Sequence, residues 1–116
     1  MELKLLVIRC KDIEKSKDFY EKLKFNFKKE QHGKGPIHYS CCVGNMVLEL
    51  YPLLDNCIDN IRLGFYIDID NIDTYLSIQN IEIISTYIFN NYKVYVIKDP
   101  DNRKIELYQE LKYVLD

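Results

Sequence analysis

Two glutamates, Glu49 and Glu106, each stand alone in an apolar run. The runs are Leu48-Glu49-Leu50-Tyr51 and Ile105-Glu106-Leu107-Tyr108. In a strand, successive side chains point to opposite faces, so each carboxylate turns away from the apolar residues beside it. Two acids facing one enclosed space need compensation, because unpaired buried charge is costly. A divalent metal, a cationic ligand, an arginine or lysine of the chain, or a proton on one acid could supply it. The chemistry open to the pair is general acid–base work, metal ligation, or capture of a cation or hydrogen-bond donor. The competing assignment is that both acids are merely solvated or paired with Arg9, Arg62 or Lys104. The repetition of an acid at one point in two similar phrases weighs against it.

Hairpin register selects the neighbours of these acids. Gly44-Asn45 suits a two-residue turn, since both residues tolerate positive φ. Ser40 is then expected opposite Glu49 and His38 opposite Tyr51, on one face with Cys42 and Val47. If residues 99–102 form a four-residue loop, Tyr95 is expected opposite Glu106, sharing a face with Ile97, Lys104 and Tyr108. His38 is the one histidine expected on the Glu49 face, as metal ligand, general base or hydrogen-bonded strand residue. His32, beside a glycine in a loop, is expected to be exposed. Gly33-Lys34-Gly35 lacks the spacing and the following hydroxyl residue of a phosphate loop, although Lys34 could touch an anion. The candidates are therefore Glu49 and Glu106 as catalytic groups; His38, Ser40, Tyr95, Arg62 and Arg9 as ligand-binding residues; and Glu49, Glu106 and His38 as metal ligands.

These side chains must be positioned by strands and helices that occur twice in the same order. Residues 3–10 read as a strand. Asp12 is placed to cap a helix whose stripe is Ile13, Ser16, Phe19, Tyr20 and Leu23. Strands at 25–29, 37–43 and 46–51 follow. After a connector over 53–60 the pattern returns: a strand at 62–69, a helix capped by Asn71 with Ile72, Tyr75, Leu76 and Gln79 on one stripe, and strands at 81–89, 92–98 and 103–109. The turn between the last two is Asp99-Pro100-Asp101-Asn102. The order is βαβββ twice, with module one at about 3–52 and module two at about 61–109, interdependent within one domain of residues 1–116.

Composition fits an ordinary globular chain, 47% hydrophobic and 29% charged. A net charge of −2 with scattered lysines argues against a nucleic-acid surface. No apolar stretch approaches the ~18 residues of a membrane helix, so no membrane partner is expected. The first residues, Met1-Glu2-Leu3-Lys4, lack signal-peptide features. Cys10, Cys41, Cys42 and Cys57 show no Cys-x-x-Cys or zinc spacing and suit a reducing compartment. A cytoplasmic location is the expectation.

The segment Asp12-Ile13-Glu14-Lys15-Ser16-Lys17-Asp18-Phe19-Tyr20-Glu21-Lys22-Leu23 resembles the first-helix motif of the glyoxalase/bleomycin-resistance/extradiol-dioxygenase group, the vicinal oxygen chelate superfamily. Gly33-Lys34-Gly35-Pro36-Ile37-His38-Tyr39-Ser40 with Glu49-Leu50-Tyr51-Pro52 resembles an uncharacterised branch of it. Arg62-Leu63-Gly64-Phe65 and Asp99-Pro100-Asp101-Asn102 with Ile105-Glu106-Leu107 match second-half motifs. The resemblance covers roughly residues 3–109 and implies an α+β fold, two paired βαβββ modules forming a half-open barrel around a cleft. It also implies a homodimer, and in the enzymes a divalent metal held by the first and last strands of each module. Glu49 and Glu106 match the last-strand ligands. Leu5 stands at the first-strand histidine, and Arg62 or Gly64 at its counterpart, so half the metal set is missing. Lys24 replaces a helix-ending glycine, a role then expected of Asn26, and Asn102 replaces a turn glycine.

The expected function is a glyoxalase/bleomycin-resistance-like protein that binds a small molecule in the inter-module cleft without the usual metal set. No cofactor is expected, with a divalent metal as the alternative. Behind it stand a metal-dependent lyase or isomerase resembling glyoxalase I, and an interaction module with a vestigial cleft.

Overall fold

The computed structural model describes residues 1–111. The chain forms two compact units, one of Met1–Asp59 and one beginning at Asn60. The first contains β1 (Leu5–Cys10), α1 (Ile13–Lys22), β2 (Lys28–Glu30), β3 (His38–Val43) and β4 (Met46–Pro52). The second contains β5 (Leu63–Tyr66), α2 (Ile72–Ile78), β6 (Ser85–Phe89), β7 (Tyr92–Lys98) and β8 (Lys104–Glu110). Their sheets are ordered β1-β4-β3-β2 and β5-β8-β7-β6, with the first strand parallel to the last and the other pairs antiparallel. This is the α+β, twice-repeated βαβββ architecture expected from the sequence. Among the described residues no helix is long and apolar enough to cross a membrane.

In the first unit the Asp12 carboxylate accepts the backbone N–H groups of Glu14 and Lys15 and starts α1. The helix covers one face of the sheet, packing on β3 and β4. That face carries the buried Ile8, Cys10, Tyr39, Cys41, Leu48 and Leu50, which meet Tyr20 and Leu23 in the apolar core. Each such aliphatic side chain contributes about 1.5–3 kcal/mol by leaving water. The Tyr39 hydroxyl donates to Glu14 at 2.7 Å and ties β3 to the first turn of α1. Cys42, next to Cys41, is exposed, as strand alternation requires.

The left-handed residue that ends α1 is Lys24 (φ +76), not Asn26. The Lys24 N–H donates to the Glu21 carbonyl and the Phe25 N–H to that of Tyr20, the paired bonds of a Schellman ending. Asn80 (φ +59) ends α2 with the same two bonds, to Ser77 and, from Ile81, to Leu76. Two satisfied carbonyls outweigh the small cost of positive φ in a residue with a Cβ. Asn71 does precede α2, but its side chain makes no cap bond there. Residues 25–27 lie outside β2 because the rings of Phe25 and Phe27 turn in against Tyr20.

Candidate functional site

The first hairpin has the expected register, with Gly44 at φ +57 in its turn, Val43 opposite Met46 and Ser40 opposite Glu49. His38 lies one step further along the same face, its ring stacked on Tyr51 at 4.1 Å and 11°. The same face receives Glu30, directly opposite His38 on β2, and Arg9, whose guanidinium lies 4.9 Å from the centre of the Tyr51 ring and donates to the Pro52 carbonyl. His38 is 1% exposed. Its Nδ1 lies 3.2 Å from the Pro36 carbonyl, which can only accept, so Nδ1 carries a proton and Nε2 faces the polar group. Around Nε2 stand the Tyr51 hydroxyl at 3.3 Å, Glu30 at 3.4 Å and Glu49 at 3.5 Å. His38, Ser40, Glu49 and Arg9 thus share one face.

In the second unit Arg62 donates to Glu106 Oε1 at 2.5 Å and the Tyr87 hydroxyl donates to the same oxygen at 2.6 Å. Glu106 is 6% exposed, whereas the Arg62 side chain is half exposed. The guanidinium holds the Glu106 carboxyl below its usual range; burial opposes this, and the Tyr87 bond assists. Accepting that hydrogen bond, the carboxylate pushes the Tyr87 hydroxyl up to about 12. Gly64, opposite Glu106 on β5, leaves room for Tyr108: a Cβ there would meet the Tyr108 ring at 2.9 Å. The arginine pairing considered from sequence is therefore realised for Glu106.

The second hairpin corrects one expectation. Glu106 lies opposite Val96, and Tyr95 opposite Leu107. Arg103 belongs to the loop: its N–H and that of Asp101 both donate to Asp99 Oδ1, making five residues between Lys98 and Lys104 where four were expected. That one-residue slip reverses the faces. Tyr95 is buried on the opposite side of the sheet from Glu106, donating to Gln109. Lys104, paired with Lys98, stays on the Glu106 face with Tyr108, while Ile97 moves to the Tyr95 face.

The positions where the resemblance implies first-strand metal ligands offer no donors. In β1, Leu5 lies beside Val47 and Val7 beside Glu49, both apolar. In the second unit the equivalent places hold Gly64 and Arg62, and Arg62 is already bonded to Glu106. These residues do not fit the metal set that the resemblance implies. A different set is present: Glu30, His32 and His38 offer ligand atoms all within 4.8 Å of one another. Sequence reading missed Glu30 because it placed β2 three residues early, and missed His32 because an exposed loop histidine carries no pattern. Tyr87 was missed because ten tyrosines in strand-like runs hide any single one.

Glutamate 106 supplies a pH test. Its folded pKa lies below the unfolded value, so its contribution to stability is complete above the ordinary carboxylate range and is lost as pH falls below it. In urea unfolding from pH 7 to pH 3, the gap between the parent and E106Q is expected to close on acidification. A gap independent of pH would show that the Arg62 pair does not stabilise the fold.

No protein-family model matches the sequence, and no curated protein sequence matches it. Solved structures do match. An antibiotic-binding protein from Streptomyces sp. CB03234 superimposes with a TM-score of 0.73 at 21% identity, over 95% of this chain and 96% of that one. A glyoxalase family protein from Enterococcus faecalis gives 0.67 at 23%, over 93% and 97%. Lactoylglutathione lyase from Agrobacterium tumefaciens gives 0.68 at 15%, over 92% and 92%. The chain has the glyoxalase/bleomycin-resistance fold.

Proposed function

We propose that the protein binds a small molecule against the sheet faces that carry Glu49 and Glu106, and that it does so without the metal set of the related enzymes. The observation that carries this reading is the makeup of those faces. Arg9, His38, Ser40, Glu49 and Tyr51 share one; Arg62, Tyr87, Glu106 and Tyr108 share the other. A few placed polar groups among aromatic rings are what orient a small ligand. A ligand rich in cationic or hydrogen-bond-donating groups suits the acids, and aromatic surface suits the tyrosines. The likeness in fold to an antibiotic-binding protein supports the same class of ligand. A metal-dependent lyase or isomerase would need donors where Leu5 and Arg62 stand, so binding is the reading these residues favour. Glu106, held ionised by Arg62, is also a weaker proton acceptor than a free glutamate. A cytoplasmic homodimer belongs to the same proposal, and light scattering measures the oligomeric state.

A thermal-shift screen with cationic aromatic compounds, bleomycin among them, tests the proposal. A ligand present at 100 times its Kd is expected to stabilise the fold by about 2.7 kcal/mol. E49Q and E106Q should each reduce that stabilisation. Absence of any stabilising compound, or stabilisation indifferent to both substitutions, would overturn it.

A further inference from the structure

We propose that Glu30, His32 and His38 form a divalent-cation site at the β2–β3 edge of the first unit, suited to a borderline ion such as zinc. Glu30 and His32 lie outside the strand positions that the family resemblance implies, whereas His38 and the adjacent Glu49 belong also to the face proposed for the small molecule.

Four observations support it. The donors are of the right kind: two imidazoles and a carboxylate, the ligand types zinc accepts. Their spacing is also right. Zinc bonds of 2.0–2.2 Å in a tetrahedron set neighbouring donors about 3.3–3.6 Å apart. His38 Nε2 lies 3.4 Å from Glu30 Oε1 and 3.5 Å from Glu49 Oε2, and His32 Nε2 lies 4.0 Å from Glu30 Oε1. His32 is the exposed member, its donor within 4.8 Å of the other two, so its side chain is the one with freedom to move in toward an ion.

The third observation is the orientation of His38. Its Nδ1–H is bound by the Pro36 carbonyl, its ring is stacked on Tyr51, and its side chain is almost wholly buried. A second-sphere acceptor on one ring nitrogen fixes the tautomer and aims the other nitrogen's lone pair, as in known metal-binding histidines. The fourth is electrostatic. Nε2 faces two carboxylate oxygens and a hydroxyl within 3.5 Å. The Tyr51 hydroxyl can donate to that nitrogen, but an ionised carboxylate can only accept, so both acids face its lone pair without a proton to share. A divalent cation satisfies them together. Glu30 ends β2 opposite His38, and His32 follows two residues on in the loop toward β3, its ring 5.0 Å from that of His38. Glu49 is the nearest fourth donor.

The test uses the full chain without an affinity tag, stripped with EDTA and titrated by calorimetry with zinc chloride. Cobalt chloride provides a parallel reading through its visible absorption. One ion per chain is expected, with cobalt bands of four-coordinate intensity. H32A and E30Q, altered at exposed and half-buried positions, should weaken zinc binding at least about tenfold while leaving the metal-free melting temperature near that of the parent. If the parent binds neither metal, the proposal fails. It fails equally if both variants bind zinc as tightly as the parent.

Discussion

R103M is expected to unfold with about 3–5 kcal/mol less free energy than the parent protein. Arg103 is 2% exposed and lies in the loop between β7 and β8. Its Nη1 donates to Asp99 at 3.2 Å and to Asp101 at 3.3 Å, and all three side chains are essentially removed from water. Methionine keeps much of the volume but removes the positive charge that Asp99 and Asp101 share. Breaking a buried ion pair by removing one partner is costly because the remaining charges stay out of water. Urea unfolding followed by circular dichroism measures the loss. Adding D99N and D101N to R103M should restore part of it, because the acids no longer carry charge. A loss below about 1 kcal/mol would mean that water reaches the loop when the arginine is gone.

Y20A is expected to cost a similar amount, about 3–5 kcal/mol. Tyr20 is completely buried. Its ring meets Phe19 edge-on at 5.1 Å, Phe25 at 5.5 Å and Phe27 at 6.5 Å, and Phe27 continues the cluster to Tyr39. Alanine would leave a cavity beside the rings of Phe19, Phe25 and Phe27, with loss of their edge contacts. Y20F keeps the ring and should retain most of the stability. If Y20F lost as much as Y20A, the hydroxyl and not the ring would be the stabilising group.

The repeated βαβββ order was readable because strand alternation, the Asp12 cap and the glycine turn at Gly44 each act locally. The Ser40–Glu49 and His38–Tyr51 pairs followed directly, since a two-residue turn leaves the register no freedom. The second hairpin was misread because Arg103 looks like a strand residue. Its backbone bonds with Asp99 and the buried ion pair with Asp99 and Asp101 draw it into the loop, and the burial that favours them has no mark in the sequence. Lys24 was overlooked for a related reason: lysine carries no left-handed signature, and the bonds that favour it there involve Tyr20 and Glu21. Of the candidate site, the acids and His38 were legible in the sequence. Glu30 and His32 required knowing where β2 begins, which the turned-in rings of Phe25 and Phe27 decide. The Arg62 pair was foreseen only as one of several partners for an acid.

The closing strand of each unit comes last in its module's sequence yet sits in the interior of its sheet, flanked by β1 and β3 in one case and by β5 and β7 in the other. Glu49 and Glu106 therefore project from backbone laced on both edges, a stiff rail. Substitutions on the flanking rails, at Val7, Ser40 or Val96, can alter what each acid meets without disturbing its own mooring. A scaffold of this kind can change the surroundings of each acid through single side-chain replacements while the acid's own placement stays fixed.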